Sequence, residues 1–287
     1  MRYIDYDKVV ETVESLCISA CHELGADVRD ALQRARRAES NPTAATILDQ
    51  LIDNAELAAE QQTPLCQDTG VAVVFVELGA AAALKPPPHK PNATLVDAVN
   101  QGVAAGYQQG YLRKSIVAEP LNQRQNTGTN TPALIHFNVV PGDKLKLTVM
   151  AKGGGCENRS AFRMFNPTAS RDQIIQWVAD VAEKAGADAC PPFIIGVGIG
   201  GDFELSCLLA KKALLRRLDN RHPDPFYAQL EEDLLAAVNA LGIGPGGFGG
   251  DTTALACLVE TAPCHIASLP AAVNIDCHAH RHKSAVI

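Results

Sequence analysis

None of the nine cysteines is separated from the next by only two residues. That absence excludes the local knuckle of a structural zinc site and the tight cysteine run of a ferredoxin. The N-terminus MRYIDYDKVVETVESL has no apolar signal-peptide core, and no apolar run reaches the roughly 18 residues that a membrane helix needs. An odd cysteine count without such a signal argues against a disulfide framework, and a cytoplasmic protein is expected. There is no fixed-period repeat, which excludes a solenoid. No glycine cluster ends in G-K-[ST], so an ATP-binding P-loop is absent. Excess positive charge is lacking as well. The net charge of −7 argues against a broad nucleic-acid or membrane surface, although a few local arginines can still make a pocket for an anion.

What remains is a 287-residue chain, 47% hydrophobic and only 5% aromatic, a composition suited to a packed globule of small side chains. Residues 5–62 carry helical spacing, with Val9, Val10, Val13, Leu16 and Cys17 on one face. Ser40-Asn41-Pro42 stops one helix and starts the next. PLCQDTG is a turn, and VAVVFVEL after it reads as a buried strand. Lys85 to Pro91 is a proline-rich surface connection, and Leu95 to Gln109 a helix weakened by glycines. After a polar stretch from 113 to 132, strands are expected near 133–140 and 144–151, joined by a Pro-Gly-Asp turn. Helices are expected over 171–185, 204–218 and 225–241, with strands before GVGIGG, near 253–260 and near 271–277. The alternation predicts a mixed α/β (α+β) architecture, helical over about 1–62 and mixed over about 63–287.

Three glycine clusters stand out. GVGIGG (Gly196 to Gly201) satisfies the G-x-G-x-x-G dinucleotide fingerprint, but another helix follows where that fold needs its second strand. A tight turn that aims N–H groups at an anion suits it better. KGGGCE and GIGPGGFGG also flank strand ends, which suggests backbone closely approaching a ligand. At the C-terminus, NIDCHAHRHK offers Cys277 with His278, His280 and His282, a set that could hold zinc; a solvated tail is the plainer reading of His280 and His282.

Cys66, Cys190 and Cys277 each lie where a regular segment breaks into a turn, a position that can project a thiolate into a cleft. Cys17, Cys21, Cys207 and Cys257 follow helix or strand periodicity and read as core. Cys156, inside KGGGCE, competes with the first three, and local chemistry does not decide among them.

In order along the chain, PLCQDTG, the KGGG loop, ACPPFIIGVGIGG, GIGPGGFGG and HIASLPAAVNIDCHAHRH resemble the α-type catalytic region of class I iron–sulfur hydro-lyases. These are the class I fumarate hydratases and L-tartrate dehydratases, and the resemblance covers nearly the whole chain. It implies a single α-type catalytic domain over 1–287, with no β-type domain. It also implies a 4Fe–4S cluster held by Cys66, Cys190 and Cys277, with one iron lacking a protein ligand and free to act as a Lewis acid. Asp68 matches the family's catalytic base; Gln67, Asp68, Arg113, Gly155 and His265 match its substrate-binding positions, and Lys152 is a weaker candidate. Without the resemblance, Asp68 would read as an Asx-turn in Asp-Thr-Gly.

HIASLP and the C-H-A-x-R-H ending resemble fumarate hydratase α subunits, whereas a cysteine after the triple glycine is similar to tartrate dehydratase. The expected activity is therefore reversible hydration of fumarate to L-malate, with L-tartrate or mesaconate-type hydro-lyases as alternatives. Because the chain stops just after the C-terminal motif, a separate β subunit in an α2β2 assembly is expected to complete the site around a small dicarboxylate. A zinc-binding structural or regulatory protein using the histidine-rich tail, or a nicotinamide dehydrogenase built on GVGIGG, are the readings from other classes.

Overall fold

Three helices follow a four-residue opening strand in the computed structural model, which describes residues 1–287. In chain order the elements are β1 (Arg2–Asp5), α1 (Tyr6–His22), α2 (Ala26–Ala38), α3 (Pro42–Gln61), β2 (Val71–Gly79), β3 (Ala82–Lys85) and α4 (Leu95–Gln109). Then come β4 (Leu134–Val140), β5 (Leu145–Lys152), the one-turn α5 (Gly154–Glu157), β6 (Ala161–Phe165) and α6 (Arg171–Ala185). A short 3-10 helix, Gly186–Ala189, precedes β7 (Phe193–Gly201), α7 (Phe203–Ala213), α8 (Pro225–Asn239), β8 (Ala254–Cys264), β9 (Leu269–Asp276) and β10 (His282–Val286). The mixed α/β architecture is as the alternation of elements predicts. No helix is long and apolar enough to cross a membrane.

The chain divides into two compact units, each built from discontinuous segments. The first contains residues 1–24, 57–153 and 281–287. Its main sheet has the order β10-β5-β2-β4, with β2 parallel to β4 and antiparallel to β5. The turn after β4 does lead into β5, but the two do not pair, because β2 lies between them. The α1–α4 layer supplies the core with Val9, Val13, Val99 and Val103, against Val74, Val76, Leu147 and Val149 of the sheet. The glycines of α4 are contact positions: a Cβ at Gly102 or Gly106 would lie 2.7 Å from α1 atoms, so their small size lets the two helices meet. Helix α4 begins at a capping box, Thr94 with Asp97, which satisfies N–H groups of its first turn.

The second unit contains residues 25–56 and 154–280. The sheet order is β6-β9-β7-β8, with β7 parallel to β8 and antiparallel to β9. GVGIGG is not a turn. It forms the second half of β7, and its glycines serve packing rather than a ligand: a Cβ on Gly196 would lie 2.0 Å from the Ala210 carbonyl oxygen, and one on Gly198 2.1 Å from that of Ser206. Bare backbone lets α7 lie directly on the strand. The start of α7 is capped by Asp202, whose carboxylate accepts from Leu205 N at 2.8 Å, so the expected anion site is occupied by the chain's own negative charge. Helix α7 also stops earlier than expected, at Ala213, and its continuation is a pair of turns.

Helix α8 is locked to β8 by Glu231, which is buried and accepts from Arg216 at 2.7 Å and from Val259 N at 2.8 Å. The N-terminal helices α2 and α3 join this unit through polar contacts. Asp27 accepts from Leu218 N at 2.9 Å, and Glu39 from Asp251 N at 2.8 Å.

Candidate functional site

In the first unit the turn after α3 carries Cys66, Gln67, Asp68, Thr69 and Gly70 directly into β2. Asp68 makes the Asx-turn suggested by its sequence, its Oδ1 accepting from Gly70 N at 3.0 Å. The rest of the loop is anchored from four directions. The buried phenol of Tyr107 on α4 donates to Thr69 O at 2.7 Å, and burial raises its pKa well above the ordinary phenol value. Asn130 donates to Gly70 O at 3.1 Å, and Thr69 Oγ1 donates to Arg113 O at 3.0 Å. The guanidinium of Arg281 donates to Asp68 O. Arg281 is only 2% exposed, and its own carbonyl accepts from Ala151 N at 2.9 Å beside β5. Gly70 sits so close to Lys152 that a Cβ would lie 2.2 Å from its carbonyl oxygen, and φ at Gly70 is +68°. These contacts hold one backbone geometry for the segment bearing Cys66 and Asp68, both half-buried, and Gln67, which is exposed. Arg113 is exposed, with its main chain beside Thr69.

Arg281, Tyr107 and Asn130 escape a sequence reading because each reaches the loop from a distant element, and Arg281 lies in a polar HRH run that looks solvated. Replacing Arg281 by Met should leave Asp68 O without its donor and cost about 1.5–3 kcal/mol. Denaturant unfolding would measure that loss, and hydrogen exchange should accelerate across residues 66–70. Unchanged exchange there would show that Arg281 does not hold the loop.

In the second unit, β7 and β9 bring two further cysteines to the same sheet end, since Ile194 pairs with Asp276. Cys190 follows the 3-10 helix in a left-handed conformation, φ +53°, and is exposed. Cys277 follows β9 and is buried. His278 Nδ1 donates to Cys190 O at 3.1 Å, tying the two segments together. Cys156 on α5 joins them, its thiol donating to Ala189 O at 3.3 Å. The sulfurs of Cys156 and Cys277 and a carboxylate oxygen of Asp276 all lie within 4.8 Å of one another. Gly155 is the neighbour of Cys156 on α5 and is exposed, with Asp188 O 3.7 Å from where its Cβ would stand.

His265 is elsewhere in this unit. It sits in the exposed turn between β8 and β9, its Nδ1 accepting from Ala267 N at 3.1 Å. The eight residues of β9 separate that turn from Cys277 by about 25 Å.

The histidine-rich tail is not solvated at His280. This ring is 1% exposed, with Nδ1 2.5 Å from Asp276 Oδ2 and Nε2 2.7 Å from Leu214 O. A carbonyl only accepts, so Nε2 carries a hydrogen. His282 opens β10 and is half-buried, not part of a free tail.

Cys17, Cys21 and Cys257 behave as core, while Cys264 is exposed. Burial raises the pKa of Cys21 to about 11 and pushes Cys17 and Cys257 up as well, which keeps all three protonated. Cys207 is half-buried, less enclosed than its helical periodicity suggests.

Comparison with known proteins assigns the chain to a family. A family model described as fumarate hydratase (Fumerase) matches residues 10–286. A Methanocaldococcus jannaschii protein named "Putative L(+)-tartrate dehydratase subunit alpha" is 38% identical over 282 residues, covering 96% of this chain and 95% of that one. An Escherichia coli O157:H7 protein named "L(+)-tartrate dehydratase subunit alpha" is 30% identical over 284 residues, covering 98% and 91%. With residues 10–286 matched, the chain belongs to the fumarate hydratase (Fumerase) family of hydro-lyases.

Proposed function

We propose that this chain is the catalytic α subunit of a 4Fe–4S-dependent hydro-lyase that interconverts fumarate and L-malate. The observation that carries this reading is the meeting of the Cys190 and Cys277 segments at one sheet end, joined by the His278 contact. Soft thiolates are the usual ligands of iron–sulfur clusters, so the donor chemistry fits. Cys66, Cys190 and Cys277 would supply the three ligands. When bound, the cluster would contribute an iron without a protein ligand, a Lewis acid toward a hydroxyl or carboxylate oxygen.

The chain's own residues do the rest. Asp68 would accept the proton from the carbon next to the carbinol as the C–O bond breaks, hydroxide departs and the carbon–carbon double bond forms; in hydration hydroxide adds and Asp68 returns the proton. Its backbone carbonyl is held by Arg281, so the carboxylate starts from a defined position. Arg113 would pair with a substrate carboxylate, and Gln67 and Gly155 would contribute hydrogen bonds, whereas His265, a strand's length from Cys277, would lie outside this site. The relatives' names as α subunits support a separate β subunit; the stoichiometry proposed with it is α2β2. The proposed setting is the cytoplasm, whose reducing poise keeps thiols free.

A second reading, dehydration of L-tartrate, is favoured by the substrate in both relatives' names and by Cys156 after the triple glycine. Both use a 2-hydroxy diacid and the same base. Anaerobic co-purification with the β subunit, followed by assays on fumarate, L-malate, mesaconate and L-tartrate, separates them. Turnover of fumarate and malate is expected, together with iron and acid-labile sulfide that Cys66→Ser eliminates. Turnover of tartrate alone would establish the second reading. A colourless zinc protein inactive on all four would overturn both.

A further inference from the structure

We propose that Cys156, Asp276 and Cys277 form a site for one divalent ion of borderline softness, Fe2+ or Zn2+, filled when the chain carries no cluster. The site lies wholly within the second unit; only its link to cluster assembly rests on the function proposed above, through the shared Cys277.

Three observations support it. First, the ligand atoms converge within 4.8 Å while their residues are 4%, 1% and 7% exposed. Tetrahedral zinc, with bonds of about 2.3 Å to sulfur and 2.0–2.2 Å to oxygen, spaces such donors about 3.5–3.8 Å apart. Side-chain adjustments of about an ångström would close the set. Two sulfurs with one carboxylate favour zinc or ferrous iron over magnesium or calcium.

Second, two of the three ligands are supported from behind. Asp276 is held by His280 at 2.5 Å, and that ring is oriented by Leu214 O. A ligand fixed by an outer hydrogen bond is the usual construction of a metal site. Helix α5, which bears Cys156, is anchored through Glu157 to Lys211 at 2.5 Å and to Asn274 at 3.0 Å, and through Arg159 to Asp188.

Third, the charges balance. Each ligating thiol releases its proton to the buffer, so one divalent ion replaces two protons and the charge of the buried group is unchanged. The desolvation that keeps Cys257 protonated is thereby avoided at this position.

An ion held here occupies Cys277, so it must leave before that thiolate can serve a cluster. Cluster-free, full-length chain would be titrated anaerobically with Co2+. One equivalent should bind with a thiolate-to-cobalt charge-transfer band in the near ultraviolet, and Zn2+ should displace it. Cys156→Ser should weaken binding at least tenfold, and His280→Gln by about 10–100-fold. Cys66→Ser should leave cobalt affinity within twofold, because all three ligands belong to the other unit. Cobalt binding that Cys156→Ser does not change, or that Cys66→Ser eliminates, would overturn the proposal. If Cys156→Ser does not fold, X-ray absorption of the wild-type cobalt form decides: two sulfur donors support the site, and any other number rejects it. Reconstituting Cys156→Ser with iron and sulfide tests the other assignment separately. Loss of the cluster there would count against the three-cysteine ligand set and not against the cobalt site.

Discussion

Asp68→Asn is expected to lower kcat by roughly 10²–10⁴-fold while leaving the chain folded and its iron content unchanged. The substitution isolates proton transfer from structure. An asparagine keeps the side-chain oxygen that accepts from Gly70 N, now at 3.0 Å, and the backbone carbonyl that accepts from Arg281. It keeps the volume and the Asx-turn as well. It loses the negative charge, and with it the capacity to take a proton from carbon. Steady-state rates on L-malate, with the melting temperature and the iron-to-protein ratio, check this directly. A fall of less than tenfold would remove Asp68 as the base. A large drop in melting temperature would instead make the carboxylate a structural group.

Gly198→Ala is expected to destabilise the second unit by about 3 kcal/mol, at the upper end of the usual cost of overpacking. The new methyl would lie 2.1 Å from Ser206 O and 2.6 Å from Ala210 N, and neither atom can rotate away because both are helix backbone. Strand and helix would have to separate by more than an ångström along a closely packed seam. The disturbance would travel to the metal-capable group, because α7 carries Lys211, the partner of Glu157, and leads into Leu214, the partner of His280. Denaturant unfolding of the full chain measures the effect. A midpoint matching wild type would mean that the glycines of β7 are not needed for this contact.

The elements most legible in the sequence were those whose signals are local. Helices α4 and α6 run over Leu95–Gln109 and Arg171–Ala185 as their spacing predicts, because each begins at a capping box and carries one apolar face. The short α5, β6 and β10 were not legible, since one turn of helix or five residues of strand carry too little periodicity to read. GVGIGG misled for a physical reason. Glycine permits a tight turn and equally permits a helix to lie on a strand, and only the neighbour across the contact says which. His280 misled similarly, because its partners Asp276 and Leu214 are polar groups that only folding encloses around it.

Composition and motif order by themselves determined the mixed α/β class, the hydro-lyase family and the short list of cysteines, for these depend on residue identity and spacing along one chain. Tertiary structure decided how β2 separates β4 from β5 and how the chain divides into two discontinuous units. It also decided that Arg281 serves the Asp68 loop, that Cys156 meets Cys277, and that His265 stands a strand's length from that thiol. Each of these is a contact, or a separation, between residues far apart in sequence. Its energy comes from burial and hydrogen bonding across the fold, which no local pattern records.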